Sequence, residues 1–282
     1  MITIKNEFLT VSVNSMGAEL SSLKDNSTQK EYIWQGNPAV WNGQAPLLFP
    51  ITGRLLNDTY VHDDKKYSLP KHGFARKSEF ALMRSKQNLA VFGLFDNEKT
   101  KEVYPFRFYL GVEYRLDGKK LIVTHTVQNK DESTMYFSFG AHPAFNITLG
   151  DSVVFSEKEK LTTLLTNEYG YVVGEKTLSE NSDTVVIDAH IFDNDALFLP
   201  AMKSTSAKIV TADGEEILQM TYGNVPYLGL WAKPGAPYVC IEPWFGMCDN
   251  ENVSGILKEK PAIMSLKPQE EFVFSYEINI LN

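Results

Sequence analysis

The chain has 282 residues and only two cysteines, Cys240 and Cys248, set in one short segment without a Cys-x-x-Cys spacing. That argues against a disulfide framework and a structural zinc site, and fits a reducing compartment. Nowhere is there a run of about 18 apolar residues to span a bilayer. The opening Met1-Ile2-Thr3-Ile4-Lys5-Asn6-Glu7 turns polar too early for a signal peptide. A cytoplasmic protein without a membrane partner is expected. Positive charge is also short: 27 lysines and arginines, scattered along the chain, stand against 35 acids, for a net charge of −8. Nucleic acid and anionic membranes are therefore poor candidates as partners. The short local motifs of common enzymes are missing too. There is no GxGxxG, Walker loop, HExxH or GxSxG, which weighs against dinucleotide, phosphate-loop, metalloprotease and serine-hydrolase chemistry.

Helical periodicity is scarce, with one short candidate from Glu98 to Tyr104 that Pro105 would stop. What recurs is a period of two. Ile2 and Ile4, then Leu9, Val11 and Val13, begin it, and Tyr109 to Tyr114 continue it. Leu121, Val123, His125 and Val127 share one face of a strand whose other face carries Ile122, Thr124 and Thr126. Turn signals separate the runs at Asp117-Gly118, Gly150-Asp151, Asp213-Gly214 and Pro234-Gly235. With 43% hydrophobic residues and no linker or low-complexity tract, residues 1–282 read as one large all-β domain, an antiparallel sandwich with few short helices.

Such a fold gathers distant residues on one face, so the candidates for chemistry are isolated polar residues among glycine, proline and aromatics. Three segments have that character. Phe49-Pro50-Ile51-Thr52-Gly53-Arg54 leads to Leu69-Pro70-Lys71-His72-Gly73-Phe74-Ala75-Arg76. Ser138-Phe139-Gly140-Ala141-His142-Pro143-Ala144-Phe145 places His142 before a proline, which holds it extended at a stiff strand end. Gly140 and Ala141 beside it leave room for a ligand or serve close packing. Tyr238-Val239-Cys240-Ile241-Glu242-Pro243-Trp244 interrupts an apolar strand with a carboxylate. Buried without a partner, Glu242 would cost several kcal/mol, so it faces solvent, lines a polar cavity or pairs with a cation such as Arg54 or Arg76.

Taken together and in this order, these segments resemble the aldose 1-epimerase (galactose mutarotase) family, in its LacX-like branch. The likeness begins at Gly17-Ala18-Glu19-Leu20 and ends near Met264-Ser265-Leu266-Lys267-Pro268. It implies a large sandwich of the galactose mutarotase type whose open cleft interconverts the α and β anomers of a free monosaccharide. Matched motif to motif, Glu242 resembles the general base, His142 the general acid and His72 a second histidine that polarises the ring oxygen. Arg54 matches the sugar-binding arginine. Asp195, with Asp193 as a neighbouring alternative, matches the carboxylate that grips sugar hydroxyls; no histidine follows it, so galactose preference is not implied. Trp231 is the tryptophan expected in the cleft, while Trp41, Trp244 and Phe245 are read as core.

Proton removal from the C1 hydroxyl and delivery to the ring oxygen need only a carboxylate and an imidazole, so neither cofactor nor metal is expected. Reference pKa values of about 4.3 and 6.5 predict activity lost at low pH as Glu242 protonates and at higher pH as His142 deprotonates, a limit that a nearby carboxylate would raise. Two further readings of the same cleft remain. Lys71 and Arg76 beside His72 would suit a hexose 6-phosphate, and the sandwich could hold a sugar without turning it over. A two-histidine, one-carboxylate metal site at His72, His142 and Glu242 lacks any supporting short spacing. His62, His125 and His190 are read as structural or surface residues.

Overall fold

The period-two stretches become strands. In the computed structural model, which describes residues 1–282, Lys120–Asn129 alternates buried and half-exposed side chains along its whole length. Leu9–Asn14 does the same. His125 falls on the inner face with Leu121, Val123 and Val127, packed among Phe139, Phe274 and Tyr276. The helix occupies Glu98–Val103. Asn97 and Thr100 close a reciprocal capping box at its start, and Tyr104, extended before Pro105, ends it.

Three strands, Ile2–Lys5, Leu9–Asn14 and Glu19–Asp25, form a small antiparallel sheet. A 15-stranded antiparallel sheet carries most of the rest. Its path runs from Leu47–Leu48 through Phe139–Ala141, Tyr238–Phe245, Tyr227–Trp231, Leu197–Pro200 and Ser152–Thr166. It continues through Ser206–Val210, Glu216–Thr221, Glu271–Ile280, Lys120–Asn129, Phe108–Asp117 and Leu89–Phe95 to the edge strand Ala81–Lys86. So many twisted strands cannot stay flat. Val239 near one end, Phe92 near the other and Val11 of the small sheet all belong to one core of 67 buried residues, so the sheets face each other as a sandwich.

Where the path begins, the ladder is broken in a way that positions the site. Phe139–Ala141 and Ala144–Asn146 both pair with Tyr238–Phe245, with Gly140 opposite Trp244 and Ala144 opposite Cys240. His142 and Pro143 lie in the gap, where Pro143 has no N–H to give to a ladder. On the other side of the same strand, Gly229 is the partner of Glu242. A Cβ at Gly229 would stand 3.2 Å from that of Glu242, so the glycine makes space for the carboxylate arm. Gly140 serves packing: a Cβ there would meet Trp244, Leu48 and Thr52 at 3.0–3.1 Å.

Candidate active site

Glu242 comes from the middle of a strand buried along nearly its whole length, and its carboxylate has two neighbours. Oε2 lies 3.2 Å from Nε2 of His142 and accepts a 3.1 Å hydrogen bond from the indole N–H of Trp244. Neither arginine is its partner, so the simple ion pair considered from sequence is replaced by a carboxylate–imidazole contact. Both side chains are nearly sealed off, with 2% and 8% of their surface exposed. Trp41 stacks over His142 at 5.4 Å between ring centroids, and Trp231 meets the same ring edge-on at 5.7 Å.

His72 is presented by a turn with two successive left-handed residues, His72 and Gly73, both at φ +68°. At the second, only glycine fits, because a Cβ would lie 2.2 Å from the carbonyl oxygen of Phe49. That carbonyl accepts from the N–H groups of Phe74 and Ala75. Gly53 holds the histidine from both sides: its carbonyl accepts from the His72 N–H at 2.8 Å, and its own N–H donates to Nδ1 at 3.1 Å. An Nδ1 that accepts leaves the ring proton on Nε2, so the opposite edge of the imidazole is a hydrogen-bond donor. Holding a non-glycine residue left-handed costs about 1–3 kcal/mol, which the surrounding bonds must sustain.

The histidines and Glu242 line one cleft, about 940 Å³ including its open mouth. Arg76, Lys71, Asp195, Trp231, Trp41 and Trp244 line it too. The guanidinium of Arg76 donates to the carbonyl of Lys71 at 2.8 Å, while its Nε is buried without a partner. Asp195, itself left-handed at φ +76°, belongs to the cleft, whereas Asp193 pairs with exposed His190 at 2.9 Å. Of the two aspartates, Asp195 is the one that lines the cleft. Arg54, the arginine matched to sugar binding, is engaged by other groups of the chain. It is not among the lining residues; its side chain is drawn to Asp58 at 3.2 Å and to the carbonyl of Tyr169 at 3.2 Å. The arginine the cleft does present is Arg76.

Several lining residues were not expected in the cleft from sequence, Trp41 having been read as core. Trp41 lies in an irregular loop, where its carbonyl accepts from the Trp34 indole at 2.8 Å and Gly43 leaves the space its ring fills. Leu164, Thr166, Gly170 and Val172 come from the tip of a long hairpin, Ser152–Thr166 and Val172–Val186, whose polar, largely exposed second strand resembles a solvent edge. Trp244, read from sequence as core, is a lining residue and belongs with Leu48, Phe198 and Cys248 to a small apolar cluster at the cleft.

Burial governs the electrostatics. Desolvation pushes the Glu242 carboxyl up to about 8, against smaller opposing effects from the Trp244 hydrogen bond and the charge of Lys71. Desolvation also pushes the His142 imidazole down to about 3, and His72 well below its ordinary value. The pair therefore shares a single proton over a wide pH range and is neutral as a unit. This reverses the expectation that a neighbouring carboxylate raises His142: the loss of solvation outweighs it. His72 is a neutral donor, which agrees with its hydrogen-bond pattern.

A family model described as aldose 1-epimerase matches residues 1–279. The protein LacX (chromosomal) of Lactococcus lactis subsp. lactis is 35% identical over 298 residues, covering 100% of this chain and 99% of that protein. Among solved structures, a galactose mutarotase related enzyme from Lactobacillus acidophilus superposes with a TM-score of 0.92 at 30% identity, covering 100% of this chain and 97% of that one. A galactose mutarotase-like protein from Lactobacillus casei superposes at 0.94 with 25% identity and full coverage of both chains. The chain belongs to the aldose 1-epimerase family, and its fold is the large antiparallel β-sandwich of galactose mutarotase-like proteins.

Proposed function

We propose that this member of the aldose 1-epimerase family is a mutarotase that interconverts the α and β anomers of a free aldohexose. The observation that carries the reading is the 3.2 Å contact between Glu242 and His142 at the base of a cleft large enough for a sugar. Ring opening needs a proton taken from the C1 hydroxyl and another given to the ring oxygen. A pair sharing one proton does both without changing its total. Passage of that proton from Glu242 to His142 gives a carboxylate base and an imidazolium acid, and the sugar hydroxyls replace the solvation that burial removed. The acid and the base each contribute roughly 10²- to 10⁴-fold. His72 then donates Nε2–H toward the ring oxygen, Asp195 and Arg76 hold hydroxyls, and Trp231 and Trp41 offer aromatic faces to the ring. Ring closure on the other face reverses the same transfers.

Lys71 and Arg76 in the lining favour a second substrate, a hexose 6-phosphate, since two cations line the cleft beside the carboxyl groups of Asp195 and Glu242. The test is polarimetry on freshly dissolved α-D-glucose and α-D-galactose, with NMR exchange for glucose 6-phosphate. At least one neutral sugar should be accelerated. Acceleration of the phosphate alone, lost in Arg76→Ala, would select the second substrate. Binding of a sugar with no acceleration of any would instead make the protein a non-catalytic sugar binder.

A further inference from the structure

One cysteine stands with the acid/base pair. Cys240 and Glu242 are alternate residues of one strand, so their side chains leave it on the same face. A nitrogen of His142, the sulfur of Cys240 and a carboxylate oxygen of Glu242 all lie within 4.8 Å of one another, and all three residues are buried. His72, the histidine weighed for a metal site from sequence, is not in this group; its ring centroid is 6.2 Å from that of His142.

We propose that His142, Cys240 and Glu242 form a Zn²⁺ site at the base of the cleft, and that the ion silences the acid/base pair by occupying it. Nitrogen and oxygen ligands at about 2.0–2.2 Å from a tetrahedral ion stand roughly 3.3 Å apart. Nε2 of His142 and Oε2 of Glu242 are already 3.2 Å apart. The thiol must close by a side-chain adjustment to give the longer zinc–sulfur bond, about 2.3 Å. Charge favours the same ion: one carboxylate, one thiolate and one neutral imidazole around Zn²⁺ sum to zero, as a desolvated site requires. The bonds form as the thiol proton and the proton of the Glu242–His142 pair leave to solvent; nothing is oxidised or reduced. His142 and Glu242 line the cleft while Cys240 does not, so the ion enters from the cleft and its fourth position faces the cavity.

Silencing rests on the acid/base reading above, whereas metal binding does not, and the experiment separates them. Co²⁺ is titrated into the full chain carrying His190→Ala, which removes the exposed His190–Asp193 pair as a competing ligand set. The expected result is a tetrahedral cobalt spectrum with a sulfur-to-cobalt band, complete at one equivalent and abolished by Zn²⁺. In Cys240→Ala the band disappears and Zn²⁺ affinity falls by at least about 10–100-fold, the loss that outer partners of metal ligands alone produce. Absence of the band before any cysteine is changed, or its survival in Cys240→Ala, overturns the site. In the activity arm, one equivalent of Zn²⁺ abolishes anomer exchange and a chelator restores it. A metal-loaded protein that shows the band yet still exchanges anomers keeps the site and overturns silencing, and with it the assignment of the pair as the reacting groups.

Discussion

His142 stands across an interrupted strand ladder from Glu242. The pairings on either side, Gly140 with Trp244 and Ala144 with Cys240, carry a register that sets the two residues opposite each other. Opposed side chains emerge on the same face about 5 Å apart at their roots, so the 3.2 Å contact between their tips follows from backbone pairing. Pro143 and Pro243 follow the two residues and fix φ just beyond each. The carboxylate–imidazole pair is thus held by the sheet, a rigid support of the kind a preorganised site needs.

Burial makes the pH profile wide. With Glu242 raised to about 8 and His142 lowered to about 3, the one-proton state spans that interval. kcat/KM should form a broad plateau, falling below about pH 3–4 as His142 takes a second proton and above about pH 8 as Glu242 loses the shared one. Measurement on a constant-ionic-strength buffer series checks this, and a profile peaking between limits at 4.3 and 6.5 would show both groups to be solvated.

Stability should follow the same groups with opposite signs. The folded Glu242 value lies above its ordinary 4.5, so its contribution is full below pH 4.5 and is lost as pH rises through about 8. The folded His142 value lies below 6.5, so its contribution is full above pH 6.5 and is lost as pH falls through about 3. For this pair, the best region is between about pH 4.5 and 6.5. Thermal melts of Glu242→Gln should lose less of their midpoint than the parent between pH 6 and 8.

The turn that carries His72 should tolerate no side chain at Gly73. Gly73→Ala places a Cβ 2.2 Å from the Phe49 carbonyl at φ +68°, and the loss should exceed the roughly 1 kcal/mol usual for an unfavourable glycine replacement. Urea titration measures it. Catalysis should fall further than stability explains, because the same turn aims Nε2–H of His72.

A buried ion pair braces one wall of the cleft. Lys260 Nζ donates to Asp249 and to the Met247 carbonyl, both at 2.7 Å. Asp249 also accepts from the Leu56 N–H, and its backbone bonds to Arg54 and to Val172 of the hairpin tip. Lys260→Met should cost about 3–5 kcal/mol, because it leaves a buried carboxylate without its cation. Pairing it with Asp249→Asn should recover part of the loss. A urea series on the two single variants and the double closes the cycle.

Much of this site was legible from sequence because chemistry concentrated in motifs: His72, His142, Glu242, Asp195, Arg76 and Trp231 all line the cleft. The period-two pattern of Lys120–Asn129 declared its strand directly. Trp41 and the hairpin tip were not legible, since loop placement depends on distant partners such as the Trp34 indole. The partners of Arg54 were not legible for a similar reason. Its neighbour Gly53 holds His72, while the arginine side chain itself bonds Asp58 and the Tyr169 carbonyl. The pKa directions depend on burial, which reference values omit. The facing of His142 and Glu242 had a trace, two X-Pro steps in strands able to pair antiparallel, but register needs the structure.

Glu242 and His142 should pass protons to and from a sugar, and NMR exchange between the α and β anomers of an equilibrated aldohexose reads that step directly. The parent protein should speed exchange of the accepted sugar, while Glu242→Gln and His142→Asn, folded and still binding it, should each lose roughly 10²- to 10⁴-fold, and the double variant much less than the product. Exchange undiminished in either variant would contradict the account.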